Sequence, residues 1–465
     1  MIRDFFISIK SDITNSINSI FKISNIDAKT KTVAKNVIYS GGIKIATVCI
    51  SFLSVPILIN YLNSTQYGIW LTIITFTSWF TLFDLGLGNG LKNKLIEFTA
   101  QGNASSARKY VSTTYVSMTL ICSLICLGVY FLNPLIPWNK IFNVKGSLNS
   151  YISAATSTVL IFTLASMVLR LINNLLHANQ QSYKVNVVNL VSQLAGFISL
   201  LVVKELCAPS LIVVALAFSL SQGLILLIIN IYLFRTSFKD LVPSFISFDF
   251  KLIREVTNMG GRFFFIQIAG LVMYMTDNFI IASLFGPDDV TIYNIALKYF
   301  GILTMGWALI VIPLWPMTTK AYYTNDMVWI NDMIKKMMKL LLLTIVIGVV
   351  MLLISNTFYR IWIGNKIVIS AAVSMVILFY SCVSVFATIM ATFINGIGKI
   401  KLQAYITCFV AVINIPLAIL FSKTLGWGLI GVPLATTVCL IISSFFAFLQ
   451  SRRLISERAF GLWNK

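Results

Sequence analysis

The sequence has few charged residues. Only 11% of its 465 residues are Asp, Glu, Lys or Arg, whereas 58% are hydrophobic and the mean hydropathy is +0.88. A water-soluble globular protein needs more polar surface than this to cover its core. The composition therefore excludes a soluble protein and predicts a polytopic membrane protein.

Histidine and clustered cysteine are also scarce. The chain has a single histidine, His177, and seven cysteines, none of them in a CxxC motif. Metal and redox sites are usually built from clusters of these residues. The sequence therefore predicts no metal and no cofactor, and we expect the cysteines in the apolar runs to pack as small hydrophobic residues.

Acidic residues are outnumbered by basic ones. The chain has 35 Lys and Arg against 15 Asp and Glu, which gives a formal net charge of +20. In a soluble protein this excess would suggest a nucleic-acid partner, but Lys and Arg also collect in the cytoplasmic loops of membrane proteins. We therefore predict no nucleic-acid binding.

Long apolar runs recur along the chain, each near the roughly 20 residues that cross a bilayer as a helix. Twelve runs are predicted to span the membrane, and we number them in chain order as spans one to twelve: 36–62, 68–91, 111–132, 151–176, 185–203, 210–233, 260–285, 291–316, 338–358, 367–393, 402–421 and 427–448. The preceding segment, 1–35, has apolar residues at helical spacing and lacks the apolar core of a signal peptide. It is predicted to be an amphipathic helix on the membrane surface or a simple cytoplasmic tail.

The distribution of basic residues predicts the orientation. Of the 35 Lys and Arg, 26 belong to segments on the side of the chain termini, 6 to segments on the opposite side, and 3 lie within spans. Because Lys and Arg are enriched in cytoplasmic segments, both termini are expected in the cytoplasm. We call the side of the termini the inner side and the opposite side the outer side.

The two halves of the chain resemble each other. Segments 35–42 and 254–261 open spans one and seven, both end in Gly-Gly, and are offset by 219 residues. This repeat predicts two six-span lobes related by an axis along the membrane normal. The predicted organisation is a cytoplasmic or interfacial N-terminal segment 1–35, an N-lobe 36–234, a cytoplasmic linker 235–259, a C-lobe 260–449 and a cytoplasmic tail 450–465.

Charged residues within the spans are candidates for function, because an ionised group in hydrocarbon is costly unless it meets a partner or water. They are Lys44, Asp84, Arg262, Asp277 and Lys298. Lys44 and Asp84 are each 20 residues from Ser64, in the first outer turn, so they lie at equal depth on neighbouring helices. This spacing favours a Lys44–Asp84 pair in an inner gate.

A second depth-matched pair lies in the other half. Asp277 and Lys298 are 10 and 11 residues from Pro287, in the outer turn between spans seven and eight. Two pairs at different depths are what alternating gates on either side of a central cavity would need. Alternatively, Lys44 and Lys298 separately line a water-filled cavity, or Asp84 caps a packing contact. We predict that Asp84 and Asp277 act in gating or ion coupling.

Cations exceed anions in the membrane-embedded set. When Arg170 is included, this set contains four cations and two anions. The cations are Lys44, Arg170, Arg262 and Lys298, and the anions are Asp84 and Asp277. A cavity lined by these cations should favour an anionic solute, and Lys and Arg are common phosphate partners. For Arg170 and Arg262, the alternative is that the side chain snorkels to the inner surface.

Glycines and prolines mark the inner ends of two spans. Gly86, Gly88 and Gly90 follow Asp84 in span two, and Pro313 and Pro316 lie in span eight. The glycines precede lysines and lack the strand and helix context of a dinucleotide site. We predict that these residues give the helix ends flexibility or close packing.

Short motifs carry a family resemblance. The run Phe-Asp-Leu-Gly-Leu-Gly-Asn-Gly-Leu at 83–91, the polar segments 101–104 and 107–113, and the segment 393–401 resemble the O-antigen flippases (Wzx) and related polysaccharide transporters. The span layout extends the resemblance over nearly the whole chain. It implies the multidrug/oligosaccharidyl-lipid/polysaccharide exporter fold, an all-α membrane protein with twelve transmembrane helices in two six-helix lobes around a central cavity.

The resemblance also implies a function. An undecaprenyl-pyrophosphate-linked oligosaccharide would be flipped by alternating access from the cytoplasmic to the periplasmic leaflet of the bacterial inner membrane, with H⁺ or Na⁺ coupling. The implied partners are this lipid-linked substrate, membrane lipids, a polysaccharide polymerase and a chain-length regulator.

Three other classes of membrane protein are alternatives to a flippase. A multidrug or cation antiporter of the same superfamily would place carboxylates rather than excess cations in its cavity. A polysaccharide polymerase or glycosyltransferase needs a substantial outer loop, whereas the longest here is 133–150. The lipid II flippase branch typically has two additional spans. We therefore expect a transporter and no enzyme activity.

Overall fold

The computed structural model describes residues 28–80, 87–144, 149–179, 181–253, 268, 270–273, 275–456 and 458–464. These residues form helices and connecting turns, with no β-strand among them. Nine helices in the described part of the chain are long and apolar enough to cross a membrane. The first, Gly41–Trp79, holds both span one and span two. The described parts of the predicted spans seven and eight include the helices Asp277–Phe285 and Pro287–Tyr323.

The N-lobe contains spans one to six. Spans one and two form the helix Ala28–Trp79, which is divided at Asn63, and Leu87–Ala100 continues span two on the inner side. Spans three to six are the helices Ala104–Leu132, Asn149–Ala178, Ser182–Leu206 and Leu211–Arg235. Short helical turns at Asn133–Leu135, Trp138–Ile141, Lys239–Leu241 and Phe245–Ser247 lie in the connections.

The C-lobe contains spans seven to twelve. Their helices are Asp277–Phe285, Pro287–Tyr323, Met327–Ile363, Ala371–Ile397, Lys401–Ile419 and Gly431–Ile455. Span eleven continues through the π-helical turn Leu420–Thr424, and 3₁₀ turns lie at Gly428–Ile430 and Gly461–Asn464.

Most helices extend beyond the predicted spans, because hydropathy marks only the part within hydrocarbon. Polar caps define several true ends. The Asn103 side chain accepts a hydrogen bond from the Ser106 N–H at the start of span three, and Ser370 accepts one from Val373 N–H at the start of span ten. Such caps satisfy N–H groups that have no partner within the helix.

Two tight turns connect neighbouring spans on the outer side, as the sequence predicts. Asn63 has a φ of 67°, and its Oδ1 accepts a hydrogen bond from the Gln66 N–H at 3.0 Å. Gly286 has a φ of 104°, a conformation that glycine adopts without strain. Pro287 then begins span eight, where its missing N–H removes no helical hydrogen bond.

The hydrophobic core is divided between the outer and inner halves. One outer cluster includes residues of both lobes, such as Trp70 of span two and Phe300 of span eight. Among the described residues, a cluster around Leu91 combines N-lobe residues with Phe238 of the linker, and another around Phe393 combines C-lobe residues with Leu454 and Ala459 of the tail. Within the described residues, the lobes therefore share a hydrophobic cluster on the outer side, whereas neither of the two inner clusters combines residues of both lobes.

Candidate functional site

The two outer turns bind each other across the lobe interface. The Thr65 hydroxyl donates to the Asp288 carboxylate at 3.0 and 3.2 Å. The Thr291 hydroxyl donates to the Ser64 carbonyl at 2.8 Å. Spans one and two are thereby connected to spans seven and eight at the outer end of the cavity, where we place the outer gate.

The closest approach at the outer gate is at Gly68. A Cβ added there would stand 1.8 Å from the Pro287 carbonyl oxygen, and a backbone atom cannot move aside as a flexible side chain can. We therefore expect Gly68→Ala to separate the two turns. In a protein whose native cysteines are replaced, Thr65→Cys with Asp288→Cys should form a disulfide in high yield, and Gly68→Ala should remove most of it.

The control for this experiment is Gly128 in span three, where an added Cβ meets nothing within 4 Å. Gly128→Ala should leave the disulfide yield unchanged. An unchanged yield in the Gly68→Ala protein would show that the turns do not need this close approach.

Pro56 exposes a backbone carbonyl of span one to the C-lobe. Proline has no N–H to donate to the carbonyl of Phe52, four residues earlier. Trp362, at the end of span nine, donates its Nε1–H to this carbonyl at 3.0 Å, and its ring stacks on the Phe52 ring with centroids 4.8 Å apart. A C-lobe side chain thus satisfies a carbonyl that the helix cannot, as the membrane interior requires.

Lys298 reaches the same part of span one, where its Nζ donates to the Ser51 carbonyl at 2.7 Å. Its predicted partner, Asp277, is engaged elsewhere: Tyr293 and Thr436 donate to that carboxylate at 2.9 and 3.0 Å. The Asp277–Lys298 pair is therefore not formed in this conformation. Equal depth places two residues at one level, but it does not make them face each other.

Asp277 lies in a buried group of oxygen atoms. Its side chain is 3% exposed, and none of the ion pairs within the described residues involves it. Asn414 donates its Nδ2–H to the Thr436 hydroxyl at 3.1 Å, while the Asn414 Oδ1 is buried and has no hydrogen-bond partner in the described part of the chain. The Val432 carbonyl is 3.5 Å from the same hydroxyl. Such a set can hold a proton on the carboxylate or a hard cation among the oxygens.

Two pockets flank span two, and each combines one cation with hydroxyl and amide groups. The C-lobe pocket, of about 490 Å³, lies between spans two, eight and ten, and its polar lining includes Asn294, Lys298, Tyr380, Ser381, Ser384 and Thr388. The N-lobe pocket, of about 290 Å³, lies between spans two, four and six, and its polar lining includes Thr77, Thr163, Ser166, Arg170, Ser219 and Gln222. Both pockets suit a solute that is anionic and polar.

The other predicted residues lie apart from these contacts or outside the described residues. Lys44 is exposed on span one, and Arg170 is exposed at the margin of the N-lobe pocket. Gly88 and Gly90 are buried, and span eight is helical through the positions of Pro313 and Pro316. Asp84, Gly86 and Arg262 lie outside the described residues, so the inner Lys44–Asp84 gate stays a prediction.

Sequence reasoning missed the groups that contact the charged residues. Pro56 was the available signal for the lobe contact, because a proline within a helix frees the carbonyl four residues earlier. The positions of Ser381, Ser384 and Thr388 were the signal for the C-lobe pocket, because this spacing places them on one helix face.

Comparison with protein families gives two matches. A family described as polysaccharide biosynthesis protein matches residues 33–322, and the MatE family matches residues 263–420. A Salmonella typhi protein named "Putative O-antigen transporter" is 22% identical over 414 residues, which cover 83% of this chain and 92% of the relative.

Solved structures with the same fold include two transporters. A multidrug resistance MATE family transporter of the MOP superfamily, in an inward-facing conformation, has a TM-score of 0.71 at 15% identity, covering 88% of this chain and 98% of its own. The lipid II flippase MurJ, in an inward closed conformation, has a TM-score of 0.68 at 15% identity, covering 90% of this chain and 92% of its own. These likenesses agree with the two-lobed, twelve-helix architecture. The match to the polysaccharide biosynthesis protein family covers more than half of this chain, so the chain belongs to that family.

Proposed function

We propose that the protein flips an undecaprenyl-pyrophosphate-linked oligosaccharide, such as an O-antigen unit, from the cytoplasmic to the periplasmic leaflet of the bacterial inner membrane. The observation that carries this proposal is Lys298 in a hydroxyl-lined pocket between the lobes. Its ammonium group suits a pyrophosphate, and the hydroxyl groups suit sugars. The family match and the relative named for O-antigen transport support this substrate class.

Lys298 also suggests how the substrate changes the conformation. In the closed outer half it donates to a neutral acceptor, the Ser51 carbonyl. A pyrophosphate entering from the inner side is a charged acceptor, and hydrogen bonds between ionised groups are stronger than those to neutral ones. The substrate would then remove one bond that closes the outer half. A ligand shifts a conformational equilibrium only through such a difference between states.

The reset of the cycle is proposed to involve H⁺ or Na⁺ at Asp277. The support is the buried carboxylate with the unpaired Asn414 oxygen beside it. Both termini are proposed to lie in the cytoplasm, so that the flipped unit is released on the outer side. A polysaccharide polymerase and a chain-length regulator would act on it there, and the protein itself would perform no chemistry.

Deleting the gene tests the proposed function. We expect lipid-linked repeat units to accumulate on the cytoplasmic leaflet, where an oxidant or lectin added to intact spheroplasts cannot reach them, and surface polysaccharide to be lost. The wild-type gene on a plasmid should restore both. Normal display of surface polysaccharide in the deletion strain would overturn the proposal.

A second candidate is a multidrug or cation antiporter, which the MatE match over residues 263–420 and the buried Asp277 favour. The cations in the two pockets argue against a cationic cargo. The same deletion strain separates the two functions, because loss of an antiporter would increase sensitivity to cationic drugs without removing surface polysaccharide.

A further inference from the structure

Two serines that line the C-lobe pocket have hydroxyl groups without a hydrogen-bond partner among the described residues. Ser381 is 1% exposed, and both its Oγ and that of Ser384 are buried without a partner. Many other hydroxyls in the spans donate to a carbonyl one turn earlier, as Thr388 does to the Ser384 carbonyl at 2.8 Å. A buried hydroxyl without a hydrogen-bond partner is unfavourable, so a ligand that pairs with these groups gains affinity.

The two serines line the pocket together with polar residues of a second helix. Ser381 and Ser384 lie on the face of span ten that lines it, and Asn294 and Lys298 lie one turn apart on span eight. Gly301, one further turn along span eight, also lines the pocket, and a Cβ added there meets nothing within 4 Å. The pocket therefore has open space bounded by donors and acceptors on two sides, with one cation among them.

We propose that the C-lobe pocket is a carbohydrate subsite. Ser381, Ser384 and Asn294 would bond the hydroxyls of the sugar nearest the pyrophosphate, while Lys298 holds the phosphate. The pocket's volume of about 490 Å³ lies in the range of roughly 300–1,000 Å³ of small-molecule sites. Leu71 also lines it and supplies an apolar surface for the C–H groups of a sugar ring. This inference rests on the proposed function and assigns one part of its substrate.

The test compares two lipids that differ only in the sugar. Purified protein in nanodiscs would be titrated with undecaprenyl pyrophosphate and with the lipid-linked oligosaccharide extracted from the deletion strain, and native mass spectrometry would give both affinities. The wild type should bind the glycosylated lipid roughly tenfold more tightly, because the sugar adds hydrogen bonds that undecaprenyl pyrophosphate lacks. The double variant Ser381→Ala and Ser384→Ala should lose this preference and keep its affinity for undecaprenyl pyrophosphate.

A second variant tests the same pocket by filling it. Gly301→Val places a side chain in the open space and should also remove the preference for the glycosylated lipid. The matched controls are Gly306→Val, on the same helix but not lining the pocket, and Ser355→Ala, whose hydroxyl donates to the Leu352 carbonyl in span nine. Both controls should bind the two lipids as the wild type does.

The outcomes separate the subsite from the proposed function. If the wild type binds neither lipid, the proposed function fails and the subsite fails with it. If the wild type binds both lipids equally, or if the pocket variants retain the preference, the subsite is wrong while the proposed function stands. An equal loss of affinity for both lipids in the pocket variants also contradicts the subsite, because the pocket would then act on the pyrophosphate or on folding.

Discussion

Lys298→Ala is expected to abolish most transport while leaving folded protein in the membrane. The side chain is proposed to meet the pyrophosphate, and a hydrogen bond to a charged group contributes about 1.5–3 kcal/mol, which corresponds to roughly a tenfold to more than a hundredfold loss of affinity. The variant would be expressed in the deletion strain, with surface polysaccharide measured against the amount of protein in the membrane. The unfolding temperature of the purified protein should fall little, because within the described residues the substitution removes one hydrogen bond, that to the Ser51 carbonyl.

Two controls separate the charge from the position. Lys298→Arg keeps the charge and should retain part of the activity. Lys320→Ala removes an exposed lysine near the inner end of the same helix and should behave as wild type. Wild-type levels of surface polysaccharide with Lys298→Ala would show that this lysine does not bind the substrate.

The second hydrogen bond between the C-lobe and span one, from Trp362, can be tested apart from Lys298. Trp362→Phe removes the bond to the Phe52 carbonyl and keeps an aromatic ring against the Phe52 ring. It should lower the yield of the disulfide between Thr65→Cys and Asp288→Cys without changing the affinity for undecaprenyl pyrophosphate. A change in affinity would mean that Trp362 also contacts the substrate.

The sequence was sufficient for the architecture because the bilayer restricts a spanning chain so strongly. Runs of apolar residues located the spans that the described residues show as helices, and the short polar interruptions at Asn63 and Gly286 located the outer turns. The helix ends were less accurate, since polar caps such as Asn103 lie beyond the apolar runs. An apolar run marks only the part of a helix that lies within the hydrocarbon. The end of the helix is determined instead by capping hydrogen bonds to individual side chains.

The candidate site was predicted less completely, because depth along a helix is not the same as direction. Lys298 was identified from its position within a span. Its acceptor is the backbone carbonyl of Ser51, and a search for charged side-chain partners does not consider backbone carbonyls. Asp277 was identified in the same way, but its partners Tyr293 and Thr436 are neutral residues on two other spans. Which helix faces meet depends on how the lobes pack, and residue spacing within one helix does not encode it.

Asp277→Asn is expected to remove the dependence of transport on an ion gradient. Asparagine has nearly the same shape and keeps an oxygen that can accept from Tyr293 or Thr436, so the fold should be retained. It carries no charge, so it can neither take up a proton at physiological pH nor attract a cation. In proteoliposomes, an H⁺ or Na⁺ gradient should accelerate flipping by the wild type roughly 5- to 150-fold, the range given by coupling free energies of about 1–3 kcal/mol. The variant should show one slow rate with or without the gradient.

Thr436 allows the two ions to be told apart. Thr436→Val keeps the shape of the side chain and removes one oxygen beside Asp277, while the carboxylate remains. If Na⁺ is bound, the valine variant should need a higher Na⁺ concentration for the same rate, because a hard cation loses a ligand. If a proton is carried, the variant should keep its response to a pH gradient. Thr437→Val is the matched control, since the Thr437 hydroxyl donates to the Pro433 carbonyl in its own helix.

Equal stimulation of the wild type and Asp277→Asn by either gradient would exclude Asp277 as the coupling site, and the buried carboxylate would then serve only to connect spans seven, eight and twelve.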